Sequence, residues 1–153
     1  MRFLTTFAAD FDDLKVHHYE DNNQRVSTVT LQIGVTDKEA TGLFGPAFFA
    51  TVFGPMGEKE DEDGNKLPSF PFDSMKPNGT WEHQPIKIDG LAYACQPSWG
   101  VIKPVQGEAK VIVTIKLPLL TNTATSIGKL GMLTGSVVEV VPMQTELPLG
   151  EAA

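Results

Sequence analysis

Val29-Thr30-Leu31-Gln32-Ile33-Gly34-Val35 and Val113-Thr114-Ile115-Lys116-Leu117-Pro118-Leu119 decide the fold of this chain. Laid one above the other, aliphatic falls on aliphatic and Gln32 falls on Lys116. Continued without a gap, Ala40-Thr41 falls on Ala124-Thr125, and Leu43 on Ile127. Each copy reads as an alternating strand that leads into a polar, helix-starting segment. Two explanations fit. One is an internal strand–helix duplication; the other is two amphipathic units that share a pattern, since no known repeat period is matched.

The alternation is of period two. Val26, Thr28, Thr30 and Gln32 interleave with Ser27, Val29, Leu31 and Ile33, giving one polar and one mainly apolar face. In the second copy Val111, Val113, Ile115 and Leu117 share one face, and Ile112, Thr114 and Lys116 the other. Leu14 to Tyr19 forms an earlier strand, joined to the first copy through the polar Glu20-Asp21-Asn22-Asn23-Gln24. Ile86-Lys87-Ile88, then Asp89-Gly90, then Leu91 to Cys95 reads as a second hairpin. Ser136 to Val141 is the last strand, and Pro142 ends it.

Two helices are expected. Thr36-Asp37-Lys38-Glu39 is a capping box, in which the Thr36 hydroxyl accepts from the Glu39 amide and the Glu39 carboxylate reaches back. Gly42, Gly45 and Pro46 keep that helix short. Ala47 to Phe53 is too apolar to be exposed and reads as buried helix or strand. In the second copy Thr121 is the expected cap of a helix reaching about Leu133, with Ala124, Ile127 and Leu130 inward. The fold class is therefore α+β, mostly antiparallel strands with two short helices. Residues 1–143 form one domain, 54–80 an acidic, proline-rich loop within it, and 144–153 a flexible tail.

With 153 residues the chain is long enough for one real core. Its net charge of −7 argues against a broad duplex-DNA footprint, which needs Lys and Arg to displace counterions. Single-strand binding remains open, because ring stacking carries part of that energy. Cys95 is the one cysteine, so no intrachain disulfide forms, which fits a reducing compartment. No apolar run is long enough for a membrane span, and a cytoplasmic location is expected.

Catalytic patterns are missing. Ser98 lies between Pro97 and Trp99 rather than in a nucleophile elbow. No phosphate loop or dinucleotide fingerprint occurs. His17, His18, His83 and Cys95 have no zinc spacing, and neighbours in a strand point to opposite faces. No enzyme activity, cofactor or metal is expected. Trp81, Tyr93 and Trp99 with Lys87 and Lys103 could make a platform for single-stranded DNA, set against the alternative that these rings fill the core.

The sharpest functional signal is Gln144-Thr145-Glu146-Leu147-Pro148-Leu149, directly after the last strand. It resembles the short peptides by which bacterial replication and repair proteins dock on the DNA polymerase sliding clamp. The Gln-x-x-Leu-Pro-Leu form is similar to that of a bacterial regulator of replication initiation, and translesion polymerases carry related C-terminal peptides. The resemblance implies that Gln144 fills a small polar pocket and that Leu147 and Leu149 enter an apolar groove. Pro148 favours the extended form and lowers the ordering cost. Thr145 departs from the pattern, which often has Leu there, and should weaken docking. The small acidic domain with such a tail is similar in style to bacteriophage proteins of replication and recombination modules. Three functions follow as expectations: a clamp-docking accessory protein, a single-strand DNA binder, or an acidic anti-defence inhibitor of a host nucleic-acid-binding complex. Self-association through an exposed strand edge is a further expectation.

Overall fold

The structure is a computed structural model that describes residues 2–19, 24–48, 62, 64, 74–77, 79, 81–105, 108–121 and 124–143. In chain order its elements are β1 (Phe7–Tyr19), β2 (Gln24–Val35), α1 (Asp37–Phe44), β3 (Ile86–Ile88), β4 (Leu91–Tyr93), β5 (Ser98–Pro104), β6 (Val111–Thr121), α2 (Ala124–Gly131) and β7 (Val137–Pro142). The strands form one sheet of seven in the order β4-β3-β7-β1-β2-β6-β5, antiparallel at every pairing. With the two helices among the described residues, the class is α+β.

The two copies of the decisive pattern are neighbours. β2 and β6 pair along their whole length, with Val29 opposite Leu117, Leu31 opposite Ile115 and Ile33 opposite Val113. An antiparallel pair carries a local two-fold axis through each facing pair of residues. The axis through Leu31 and Ile115 swaps the strands with the offset that carries Val29 onto Val113.

The flanking strands obey the same axis. In β1, Phe11 faces Leu31, and the register then slips by the next pair, Asp13 with Thr30. In β5, Trp99 faces Ile115, and the register slips before Ile102 meets Val113. Both bulges therefore sit beside the same level of the sheet. They carry Phe11 onto Trp99, Leu14 onto Ile102 and Lys15 onto Lys103. A shared bulge is a specific backbone feature. Its recurrence supports an internal duplication of strand, strand and helix.

The helices depart from the ungapped alignment. That alignment would start the second helix at Thr121, but β6 runs through Thr121 and α2 starts at Ala124. Thr121 is thus a strand residue and not the cap. Leu43 matches Leu130, not Ile127: both leucines are buried, while Ile127 is half-buried. Paired backbone at Thr121 satisfies strand groups that a helix started there would have to give up. At α1 the capping box is present. Glu39 N–H donates to Thr36 Oγ1 at 3.2 Å, and Thr36 N–H donates to Glu39 Oε1 at 2.9 Å. Two of the amides that a helix start leaves unpaired are thereby satisfied.

The β3–β4 hairpin turns as its sequence requires. Asp89 has φ 51° and Gly90 φ 83°, the left-handed pair of a tight hairpin turn. The ladder then continues past Tyr93, as Gln84 N–H donates to Cys95 O at 2.9 Å. On its other side Cys95 bridges Leu119 of β6. The β4 edge of the sheet thus meets β6 at this residue, and the sheet rolls back on itself with Cys95 as its seam. Pro118 lies between the Cys95–Leu119 and Ser98–Lys116 pairs, where the ladder is interrupted, a position suited to a residue without an N–H.

One face of the rolled sheet is the core. Phe11, Leu31, Ile115 and Trp99 form a continuous row across β1, β2, β6 and β5, and all four are buried. Val29, Ile33, Val113, Leu117, Ile86, Ile88, Val138 and Val140 extend it. Residues of the opposite parity, such as Gln32 and Lys116, lie on the outer face. α1 adds Leu43 and Phe44, and α2 adds Leu130. The long loop expected over 54–80 lies mostly outside the described residues. Within it, Met75 pairs with Ile102 through two backbone hydrogen bonds of 2.9 and 2.7 Å. Of the apolar stretch from Ala47 to Phe53, Ala47 and Phe48 are described: Phe48 is buried as expected, whereas Ala47 is exposed.

Candidate functional site

The expected docking peptide, Gln144, Leu147, Pro148 and Leu149, lies outside the described residues. Its point of departure is described. β7 pairs with β3 up to Pro142 opposite Ile86, and Met143 N–H then donates to Pro85 O at 2.9 Å. Immediately before Pro85 stands Gln84, a polar side chain only 1% exposed. Its Oε1 accepts from Phe3 N–H at 2.9 Å, and its Nε2 donates to Phe3 O at 2.8 Å. One side chain therefore pairs both backbone groups of Phe3 and ties the start of the chain beside the point where β7 ends. A groove of about 390 Å³ lies there, lined by Arg2, Phe3, Leu4, Gln84, Pro142 and Met143. Nothing in the sequence marks Gln84, since a glutamine beside a proline reads as an ordinary loop.

The residues of the expected stacking platform are not gathered on the surface. Trp81 and Trp99 are each 3% exposed, with ring centroids 4.8 Å apart. Phe3 lies 4.9 Å from Trp81, Phe44 5.5 Å from Trp99, and Phe48 5.9 Å from Trp99. The rings pack on one another, so they offer no face to a nucleic-acid base. Tyr93 is buried as well. The aromatic cluster is core, which is the outcome large rings favour because each buries so much apolar area. Both indole Nε1 groups are buried, and among the described residues neither meets an acceptor. Lys87 on β3 and Lys103 on β5 are exposed, on strands that do not pair with each other.

Cys95 is buried, and its Sγ donates to Gln84 O at 3.1 Å. Burial pushes the thiol up from an ordinary 9.0 to about 12. Below about pH 9 the thiol is neutral in both folded and unfolded chains. Between 9 and 12 the unfolded chain ionises first, so stability falls as pH rises through this window, by up to about 1.4 kcal/mol per pH unit. Denaturant unfolding at pH 8 and pH 10.5 checks this. The wild type should lose more stability between the two than Cys95→Ala; equal losses would show that the thiol is not the group responsible.

Of the histidines, His83 is exposed. Among the described residues no group of three or more His, Cys, Asp or Glu side chains could hold a metal ion. No helix among them is long and apolar enough to cross a membrane.

Comparison with protein-family models, with curated proteins and with solved structures returned no match. The functional reading therefore rests on the residues of this chain.

Proposed function

We propose that this chain is a non-catalytic accessory protein that docks on a bacterial sliding clamp through Gln144, Leu147, Pro148 and Leu149. The observation that carries the reading is the pattern Gln-x-x-Leu-Pro-Leu itself, directly after the end of the sheet. Its placement is supportive. Met143 is tied to Pro85, so the peptide begins one residue beyond an anchored backbone. Short motifs that bind in extended form work from such positions, where the domain does not have to unfold to present them. The burial of Trp81, Trp99 and Tyr93 takes support from the single-strand DNA reading, because stacking rings were its main source of energy.

Capture on an immobilised bacterial sliding clamp tests the proposal. The full chain should be retained, and the Gln144→Ala/Leu147→Ala double variant should lose retention. Thr145→Leu should bind more tightly than the wild type, since it restores the apolar residue that related peptides carry. Equal retention of the wild type and the double variant ends the clamp reading.

A further inference from the structure

A second surface feature, independent of the tail, lies on the outer face of β5 and β6. A depression of about 450 Å³ is lined by Lys76, Lys103 and Lys116, together with Gln32 and Thr114. Its volume falls in the ordinary range of small-molecule sites. Lys103 stands on β5, Lys116 on β6, and Lys76 is held at the edge of β5 by the Met75–Ile102 pairing beside it. Among the described residues no carboxylate forms an ion pair with any of the three. Three solvent-exposed ammonium groups thus converge around one depression. They are all the more notable in a chain of net charge −7.

The local two-fold axis supplies an internal control. It carries Lys103 onto Lys15, Thr114 onto Thr30 and Lys116 onto Gln32. It also carries Gly100 and Val101 onto Asp12 and Asp13. The first half therefore bears carboxylates where the second bears none, so the basic character belongs to one half only. Gly100 is also sterically required. A Cβ there would come within 2.8 Å of Thr114 Cγ2, which itself lines the depression.

We propose that this depression is a binding site for an anion carrying two or more phosphates, either free polyphosphate or the polyphosphate of a nucleotide. Lysine ammonium groups serve phosphate as point charges, and three of them line the site. A single carboxylate would leave two of the three cations uncompensated; a diphosphate does not. The Gln32 amide and Thr114 hydroxyl supply neutral hydrogen bonds to phosphate oxygens. The apolar side chains of Val101 and Ile112 form a wall on which the non-phosphate part of a nucleotide can lie.

Isothermal titration calorimetry of the full chain at low salt, with inorganic pyrophosphate and with adenosine triphosphate, tests the site. Saturable binding of at least one probe is expected, weakening as salt is added. Lys103→Ala/Lys116→Ala should lower affinity at least tenfold. Lys15→Ala, which removes the matching charge from the other half, should leave affinity within twofold. All three lysines are exposed, so these variants leave the core intact. Tighter binding of adenosine triphosphate than of pyrophosphate assigns the nucleotide as the source. Equal affinities assign free polyphosphate. Absence of binding by both probes, or equal losses in Lys15→Ala and in the double variant, overturns the proposal.

Discussion

Gln84→Ala should destabilise the fold by about 2–6 kcal/mol, read as a shift of the denaturant midpoint at unchanged slope. The side chain is almost wholly buried and pairs both the N–H and the C=O of Phe3. Alanine leaves both of these backbone groups, on a residue only 1% exposed, without their side-chain partner. Each such group costs about 1–3 kcal/mol, which sets the range. Phe3 is itself buried against Phe7 and Trp81, at centroid distances of 4.7 and 4.9 Å, so losing the clasp also loosens aromatic packing. Gln84→Glu should cost less than Gln84→Ala if its acid is protonated, since it can then accept from Phe3 N–H while donating to Phe3 O. The effect of Glu should accordingly shrink as pH falls through the carboxyl range. A midpoint for Gln84→Ala within about 0.5 kcal/mol of the wild type would show that the clasp is dispensable.

Phe11→Ala is expected to cost about 3–5 kcal/mol in the same measurement. Phe11 is fully buried in the row that runs through Leu31 and Ile115 to Trp99. Deleting its ring removes apolar burial and leaves a cavity between strands held by their own hydrogen bonds, so the walls cannot collapse to fill it. For a domain whose total stability is about 5–15 kcal/mol, this takes a large share. Val137→Ala serves as the control. Val137 is 68% exposed on β7 and should stay within about 0.5 kcal/mol of the wild type. Equal midpoints for the two variants would mean that the buried row is not packed as described.

Much of this fold was legible because period-two alternation is a direct trace of a half-buried sheet. β2 and β6 announce themselves through Val29-Leu31-Ile33 and Val113-Ile115-Leu117, and the β3–β4 turn through Asp89-Gly90. The beginning of β1 and all of β5 were not legible. Residues Asp10, Asp12 and Asp13 are poor strand formers by local preference. They are tolerated because Asp10 and Asp13 share the outer face with Gln32 and Thr30, while Asp12 occupies the bulge. In β5 the bulge at Gly100 breaks the alternation on which the reading depends. The seam at Cys95 was hidden for another reason: it joins residues far apart in the chain, and no local pattern encodes such a contact. Trp81 and Trp99 were ambiguous because an indole suits both a core and a stacking surface. The lysine site could not be read from Lys103 alone, since Lys76 and Lys116 come to it from separate segments.

The backbone bond between Met143 and Pro85 fixes the point from which the proposed contacts at Leu147 and Leu149 are measured. From Met143 to Leu149 the chain reaches about 20 Å at full stretch. Under the proposed docking, a partner that grips Leu147 and Leu149 would hold the folded domain within that distance of itself, measured from the edge where Arg2, Pro142 and Met143 lie together. The folded body would then act as a bulky shield over whatever surface surrounds the grip, and a rival wanting the same groove would meet that bulk before it met the peptide.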